Sequence, residues 1–338
     1  MTEKKGRQTV LLYNRPKIIA SAGVVGKKEG EGPLGKEFDR VFTDGRMNES
    51  SWEKAESALQ KAAIDTALQK AKLEPEDADM LFAGDLLGQS IGTTFGVRSL
   101  GIPFAGLYGA CSTMALSLGL AGIFVNCGAA NCAVASTSSH FCSAERQFRL
   151  PLEYGGQRPP QAQWTATAAG AAIIEGDGHG PAIESMTFGR IRDYGVTDAN
   201  NMGAAMAPAA ADTISALLNE TGQTAADFDL FVTGDLGAIG SKLLVDLLKE
   251  EHKIDLGSKH KDCGTMIYSI DEQDVNSGGS GCGCSASVIC THFMKKLLSG
   301  EINRMVFIGT GALMSTVSSQ QGESIPTVAH AVVLRGCD

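Results

Sequence analysis

The sequence predicts an α/β chain made of two duplicated halves, on three observations. Four sequence blocks recur in the same order. Apolar strand-like runs alternate with Ala-rich helical stretches in both copies, as in α/β units with a largely parallel sheet. Glycine is abundant, 41 of 338 residues against 10 prolines, with no three-residue period. That surplus excludes a linker or collagen and indicates tight turns and closely packed backbones.

Taken in order, Thr9 to Tyr13 is a strand-like run, and Trp52 to Lys72 is an Ala-rich helical stretch. The strand Met80 to Gly84 follows and runs into Asp85. Its block, Asp79-Met-Leu-Phe-Ala-Gly-Asp85-Leu86, reappears as Asp229 to Leu236 at an offset of 150, behind a second Ala-rich stretch, Ala207 to Asn219. A strand over Ile102 to Tyr108 ends at Gly109, and a helix starts at about Ser112. Gly109-Ala-Cys111-Ser112 matches Gly283-Cys284-Ser285 at an offset of 173. In that register the strand Cys132 to Ser136 falls on Met305 to Gly309. Ala171 to Gly176 falls on Ala331 to Gly336 at an offset of 160. The Gly176-Asp-Gly-His-Gly-Pro181 seam separates halves 1–178 and 179–338. The second half carries about 23 extra residues, the difference between the offsets 173 and 150, assigned to 249–274.

Between Arg98 and Glu145 there is no Asp, Glu, Lys or Arg. Within that stretch Met114 to Val125 is apolar nearly all round but only 12 residues long. A bilayer span needs about 20 residues, so the run reads as a buried core helix, and no transmembrane segment is expected. Lys plus Arg is 29 and Asp plus Glu 38, a net charge of −9, which argues against nucleic-acid binding through a broad basic surface. With 20% charged and 43% hydrophobic residues, the chain is not disordered. The nine cysteines are odd in number, sit in apolar contexts, and follow no apolar leader after Met1. Cytoplasmic synthesis in a reducing compartment, without a signal peptide, is the expectation.

Several residues are placed for chemistry. Cys111 sits at a strand-to-helix elbow, where unpaired helix N–H groups stabilise a thiolate; packing as a small core residue is the other reading. His140 closes the strand that begins at Cys132, and Glu145, Arg146 and Arg149 follow. Open α/β sheets build sites at such strand ends, so this group is either an anion site or a solvated loop with local ion pairs. Asp85 either caps a helix or faces a ligand; it is assigned to the site, and its twin Asp235 to structure. Cys282-Gly-Cys284 lacks the two further thiolate or imidazole ligands of structural zinc, and no metal is expected there. His292 reads as a packed or surface histidine. The glycines fit neither a phosphate-binding loop nor a dinucleotide fingerprint.

Several longer motifs carry a resemblance: Leu81-Phe-Ala-Gly-Asp-Leu-Leu87, Gly109-Ala-Cys-Ser-Thr113, Ser138-Ser-His140 and Ala144-Glu-Arg-Gln-Phe-Arg149. To these add Glu153-Tyr-Gly-Gly-Gln157, Met206-Ala-Pro-Ala-Ala-Ala-Asp-Thr213, Gly278-Gly-Ser-Gly-Cys282 and Glu323-Ser-Ile-Pro326. On them the chain resembles the thiolase-like superfamily of thiolases and ketoacyl-synthase-type condensing enzymes. Within it, it resembles the stage V sporulation protein AD family of spore-forming bacteria. The resemblance implies a thiolase-like five-layered αβαβα fold and a homodimer. It also implies binding of dipicolinic acid (pyridine-2,6-dicarboxylate) or its calcium chelate, for uptake into the developing spore. The partners would be the other SpoVA membrane proteins, with the chain held peripherally at the spore inner membrane. No cofactor is implied beyond calcium carried with the ligand. Synthase-type relatives place a histidine after the second-half strand, in a His-Gln-Ala-Asn pattern, where this chain reads Gly234-Asp-Leu-Gly237. Their later Gly-Asn-Thr or Gly-His-Pro motif is replaced by Gly279-Ser-Gly-Cys282. Asp85, Cys111, His140, Glu145, Arg146 and Arg149 are therefore expected to bind a ligand, with no catalytic residue. The alternative is an acyl-transfer enzyme using Cys111 as nucleophile.

Overall fold

In the first half, the alternation of apolar runs and helices becomes β1 (Lys17–Gly26), α1 (Trp52–Ala71), β2 (Met80–Gly84), α2 (Ile91–Val97), β3 (Phe104–Gly106), α3 (Thr113–Asn126), β4 (Cys132–Ser139), α4 (Phe141–Phe148) and β5 (Ala168–Glu175). In the second it becomes β6 (Ala182–Thr187), α5 (Met202–Thr221), β7 (Leu230–Thr233), α6 (Gly237–Glu251), β8 (His260–Asp262), α7 (Cys282–Val288), β9 (Arg304–Ala312) and β10 (Thr327–Arg335). The structure, a computed structural model, describes residues 2–148 and 158–337.

The strands are ordered β8-β7-β9-β10-β6-β1-β5-β4-β2-β3, the same sequence read outward from β6 and from β1. Along this order each half has two parallel pairings (β4–β2 and β2–β3; β9–β7 and β7–β8) and two antiparallel ones. The sheets are thus mixed, not largely parallel. The reason is visible at β4 and β5, where Ser139 pairs with Ala168. The intervening chain leaves and re-enters at the same end of the sheet, so the returning strand must run the other way. The segment 249–274 contains β8, which pairs β7 as β3 pairs β2.

Helix α1 begins at Ser51, whose hydroxyl accepts from the Lys54 N–H. Its buried Ala55, Leu59, Ala63 and Ala67 lie four residues apart on one face, turned to the sheet of the first half. Helices α5 and α6 cover the sheet of the second half from outside. Helix α3, which carries no charge, lies between the sheets with α7 and touches strands of both halves. Five alternating layers result, and the elbow residues at the heads of α3 and α7 meet at the centre.

Candidate functional site

The elbow is built by local hydrogen bonds. Ala110 adopts a φ of 49°, which turns the chain sharply before α3. Thr113 Oγ1 accepts from the Gly109 N–H at 3.1 Å and donates to the Ala110 carbonyl at 2.6 Å, while Ser112 Oγ donates to the Gly109 carbonyl at 2.6 Å. Cys111 is thereby held at the head of α3, facing the second half. There its thiol faces the carboxylate of Asp235, the residue following β7 by two positions.

Asp235 is fully buried and collects donors. It accepts from the Gly281 N–H at 2.8 Å, Thr310 Oγ1 at 2.8 Å and Ser280 Oγ at 3.3 Å. Its loop is fixed by Asp262 at the end of β8, which accepts from the N–H groups of Leu236 (2.8 Å) and Gly237 (3.0 Å) and from Thr233 Oγ1 (2.7 Å). Burial raises the Asp235 carboxyl to about 6. Burial, and then the Asp235 charge, push the Cys111 thiol well above its ordinary 9.0. Of the two readings of Cys111, the activated thiolate is the one disfavoured: desolvation and a neighbouring carboxylate outweigh the helix dipole. Moving the thiol proton to Asp235 would run uphill, from a group held well above 9 to one at about 6.

In front of Cys111 lies a cavity with about 440 Å³ of empty space, its open mouth included. Leu86, Phe148, Met202 and Met314 form apolar walls; Tyr108, Cys111, Glu145, Thr165 and Ser280 supply the polar points. Glu145 accepts from Thr165 Oγ1 at 3.0 Å and pairs with Arg158 at 3.2 Å. The Arg158 guanidinium also donates to the Gln163 carbonyl at 2.8 Å and lies 5.1 and 4.8 Å from the ring centres of Phe141 and Trp164.

Of the residues expected at the site, Cys111 and Glu145 line the cavity. Asp85 lies behind its neighbour Leu86, accepting from the Leu87 N–H at 2.7 Å and the Thr93 N–H at 2.6 Å, so it organises the loop before α2. The roles assigned to the two aspartates are exchanged: Asp235, not Asp85, stands beside the thiol. His140 turns away from the cavity. Its Nε2 hydrogen-bonds the Gly45 carbonyl at 2.7 Å, and its Nδ1 accepts from the Cys142 N–H at 3.2 Å. That network assigns a neutral imidazole protonated at Nε2, and burial lowers its pKa. Arg146 points to the surface and pairs with Glu53, so it brings no charge to the cavity. Arg149 and the motif 153–157 lie outside the described residues. None of the six histidines lines the cavity. His292 is paired with Glu37 at 2.9 Å, and the Cys282 thiol donates to the Ser138 carbonyl at 3.0 Å.

Sequence reasoning missed Glu56, Arg158 and Thr165. Glu56, fully buried on α1, receives hydrogen bonds from Ser143 Oγ (2.6 Å) and Ser138 Oγ (3.3 Å). Burial and the nearby Asp85 raise it to about 8. Its neighbours Ala55 and Ser57 read as ordinary helix, and nothing local signals a carboxylate turned inward. Among the described residues no group of three or more His, Cys, Asp or Glu side chains is arranged to hold a metal ion, and no helix is long and apolar enough to cross a membrane.

Comparison with known proteins places this geometry in context. Residues 6–335 match the family described as Stage V sporulation protein AD. The chain is 46% identical over 329 residues to the Stage V sporulation protein AD of Bacillus subtilis (strain 168), covering 97% of this chain and 96% of that one. Among solved structures it is similar to 3-oxoacyl-[acyl-carrier-protein] synthase III from Aquifex aeolicus (14% identical, 95% of this chain and 99% of that one, TM-score 0.56). It is likewise similar to human mitochondrial 3-ketoacyl-CoA thiolase (12% identical, 97% and 99%, TM-score 0.57). At these identities the likeness concerns the fold, which is thiolase-like.

Proposed function

The chain belongs to the stage V sporulation protein AD family, and from that premise we propose that it binds dipicolinic acid, free or as its calcium chelate, without acyl transfer. The observation that carries the non-catalytic part is the state of Cys111: a thiol held protonated beside a carboxylate, in a cavity that no histidine lines. A condensing enzyme needs an activated thiol and donors for the developing charge. A binding site needs only a shaped cavity with a few polar points. The apolar walls suit a flat pyridine ring, and the Tyr108 hydroxyl suits its oxygen-rich rim. Calcium, on this reading, travels as part of the ligand. The protein would serve uptake into the developing spore, docked peripherally at its inner membrane on the membrane proteins of the same complex.

Calorimetric titration of the wild type with dipicolinate, with and without calcium, should show saturable binding, lost when Cys111→Phe fills the cavity. No binding under either condition refutes the proposal. The acyl-transfer reading keeps one observation in its favour, a cysteine elbow on a fold shared with condensing enzymes. Stoichiometric acylation of Cys111 by an acyl-CoA, followed by turnover, would reverse the choice.

The homodimer belongs to the same proposal. Among the described residues strand β3 pairs only with β2 and closes one end of the sheet order, its outer edge unpaired. Beside it Phe95 and Phe104 are 49% and 39% exposed. An open apolar strand edge is a template for pairing, and a two-fold axis lets two such edges satisfy each other. Sedimentation should give a dimer that Phe104→Glu converts to monomer; a monomeric wild type at micromolar concentration would contradict it.

A further inference from the structure

We infer that the Tyr108 hydroxyl is the hydrogen-bond donor that takes a ligand carboxylate at the mouth of the cavity, an inference that rests on the binding reading above. Each hydroxyl or thiol has one hydrogen to give. Thr165 gives its hydrogen to Glu145 at 3.0 Å, Ser280 gives its own to Asp235 at 3.3 Å, and the Cys111 thiol also faces Asp235. Glu145 is an acceptor. Among the described residues Tyr108 is the remaining polar side chain of the lining, and there its hydroxyl donates to no acceptor.

Position supports the same choice. Cys111, Thr165 and Ser280 are 5%, 6% and 2% exposed, against 47% for Tyr108. The phenol therefore stands at the solvent end, while the carboxylates of Asp235 and Glu145 are buried in the inner wall. An anionic ligand avoids those two carboxylates if it turns a carboxyl group outward, where Tyr108 and water meet it. Burial holds the phenol at about 12, so the hydroxyl keeps its proton through the physiological range. A hydrogen bond from a hydroxyl to a carboxylate is charge-assisted and among the stronger kinds.

The test is Tyr108→Phe, which keeps the ring and its packing and removes only the donor. Wild type and variant are titrated calorimetrically with dipicolinate and with its uncharged dimethyl ester, and their melting temperatures are compared. Dipicolinate binding should weaken roughly 10- to 100-fold, with the ester much less affected and the melting temperature unchanged. Wild-type affinity for dipicolinate in the variant would overturn the inference. So would equal losses for dipicolinate and ester, which would signal a change of cavity shape. Failure of the wild type to bind dipicolinate is a different result: it removes the binding reading itself, and this inference with it.

Discussion

Alanine at Gly283 is expected to destabilise the protein by about 3 kcal/mol or more, seen as a large drop in the denaturation midpoint or as insoluble protein. Gly283 sits in the first turn of α7, pressed on the strands of the first half. A Cβ there would stand 2.0 Å from the Ala168 carbonyl oxygen and 2.7 Å from the Ser139 nitrogen. Both are backbone atoms, and Ser139 and Ala168 are paired partners where β4 and β5 meet. Neither can swing aside as the end of a long side chain can, so the helix must move away. That displacement would pull Gly281 and its N–H from Asp235. Gly176→Ala is the control: its Cβ would meet only Val125 Cγ1 at 4.0 Å, and the change should stay within about 0.5 kcal/mol. If Gly283→Ala proves as stable as Gly176→Ala, the backbone-on-backbone packing of α7 is not what the glycines provide.

The same pair of elbows shows how much of the molecule was legible in its sequence. The repeat, the Ala-rich α1 and α5, the uncharged α3 and the elbow at Cys111 each announce themselves within a dozen neighbouring residues, because periodicity and turn chemistry are local. The family was legible as well, through motifs spread along the chain. What surrounds Cys111 was not. Asp235, Gly281 and Thr310 arrive from the other half of the chain, and their effect on the thiol exceeds that of the helix end which the local sequence advertises. The Asp85 and Asp235 blocks look alike, yet one aspartate caps a loop and the other meets the thiol. Only the packing of α3 against the second half distinguishes them. Arg146 was expected at the site because it follows His140 closely. On α4, however, the Glu145 side chain turns inward while that of Arg146 reaches the surface and Glu53. The cation that reaches Glu145, Arg158, comes from beyond the helix.

Glu56→Gln is expected to stabilise the protein by on the order of 3 kcal/mol at pH 9 while leaving it near wild type at pH 5. Glu56 ordinarily titrates at 4.5, and in the folded chain burial and then the Asp85 charge raise it to about 8. Between these two values the folded protein keeps a proton that the unfolded chain has released. Stability therefore falls as pH rises through this window, at up to about 1.4 kcal/mol per pH unit. The contribution is fully present below 4.5 and lost above about 8. Glutamine has no proton to lose. Its one oxygen can still accept from Ser143, whose hydroxyl now binds one carboxyl oxygen, and its amide nitrogen can donate to the Ser138 hydroxyl that now binds the other. Asp235, raised by burial to about 6, gives a slope of the same sign at lower pH. That slope is common to both proteins and cancels in their difference. Urea midpoints from pH 5 to 9 should therefore diverge progressively, the variant being flatter. Parallel profiles would mean that Glu56 folds already ionised, and that its two serine hydroxyls outweigh both its burial and its neighbour.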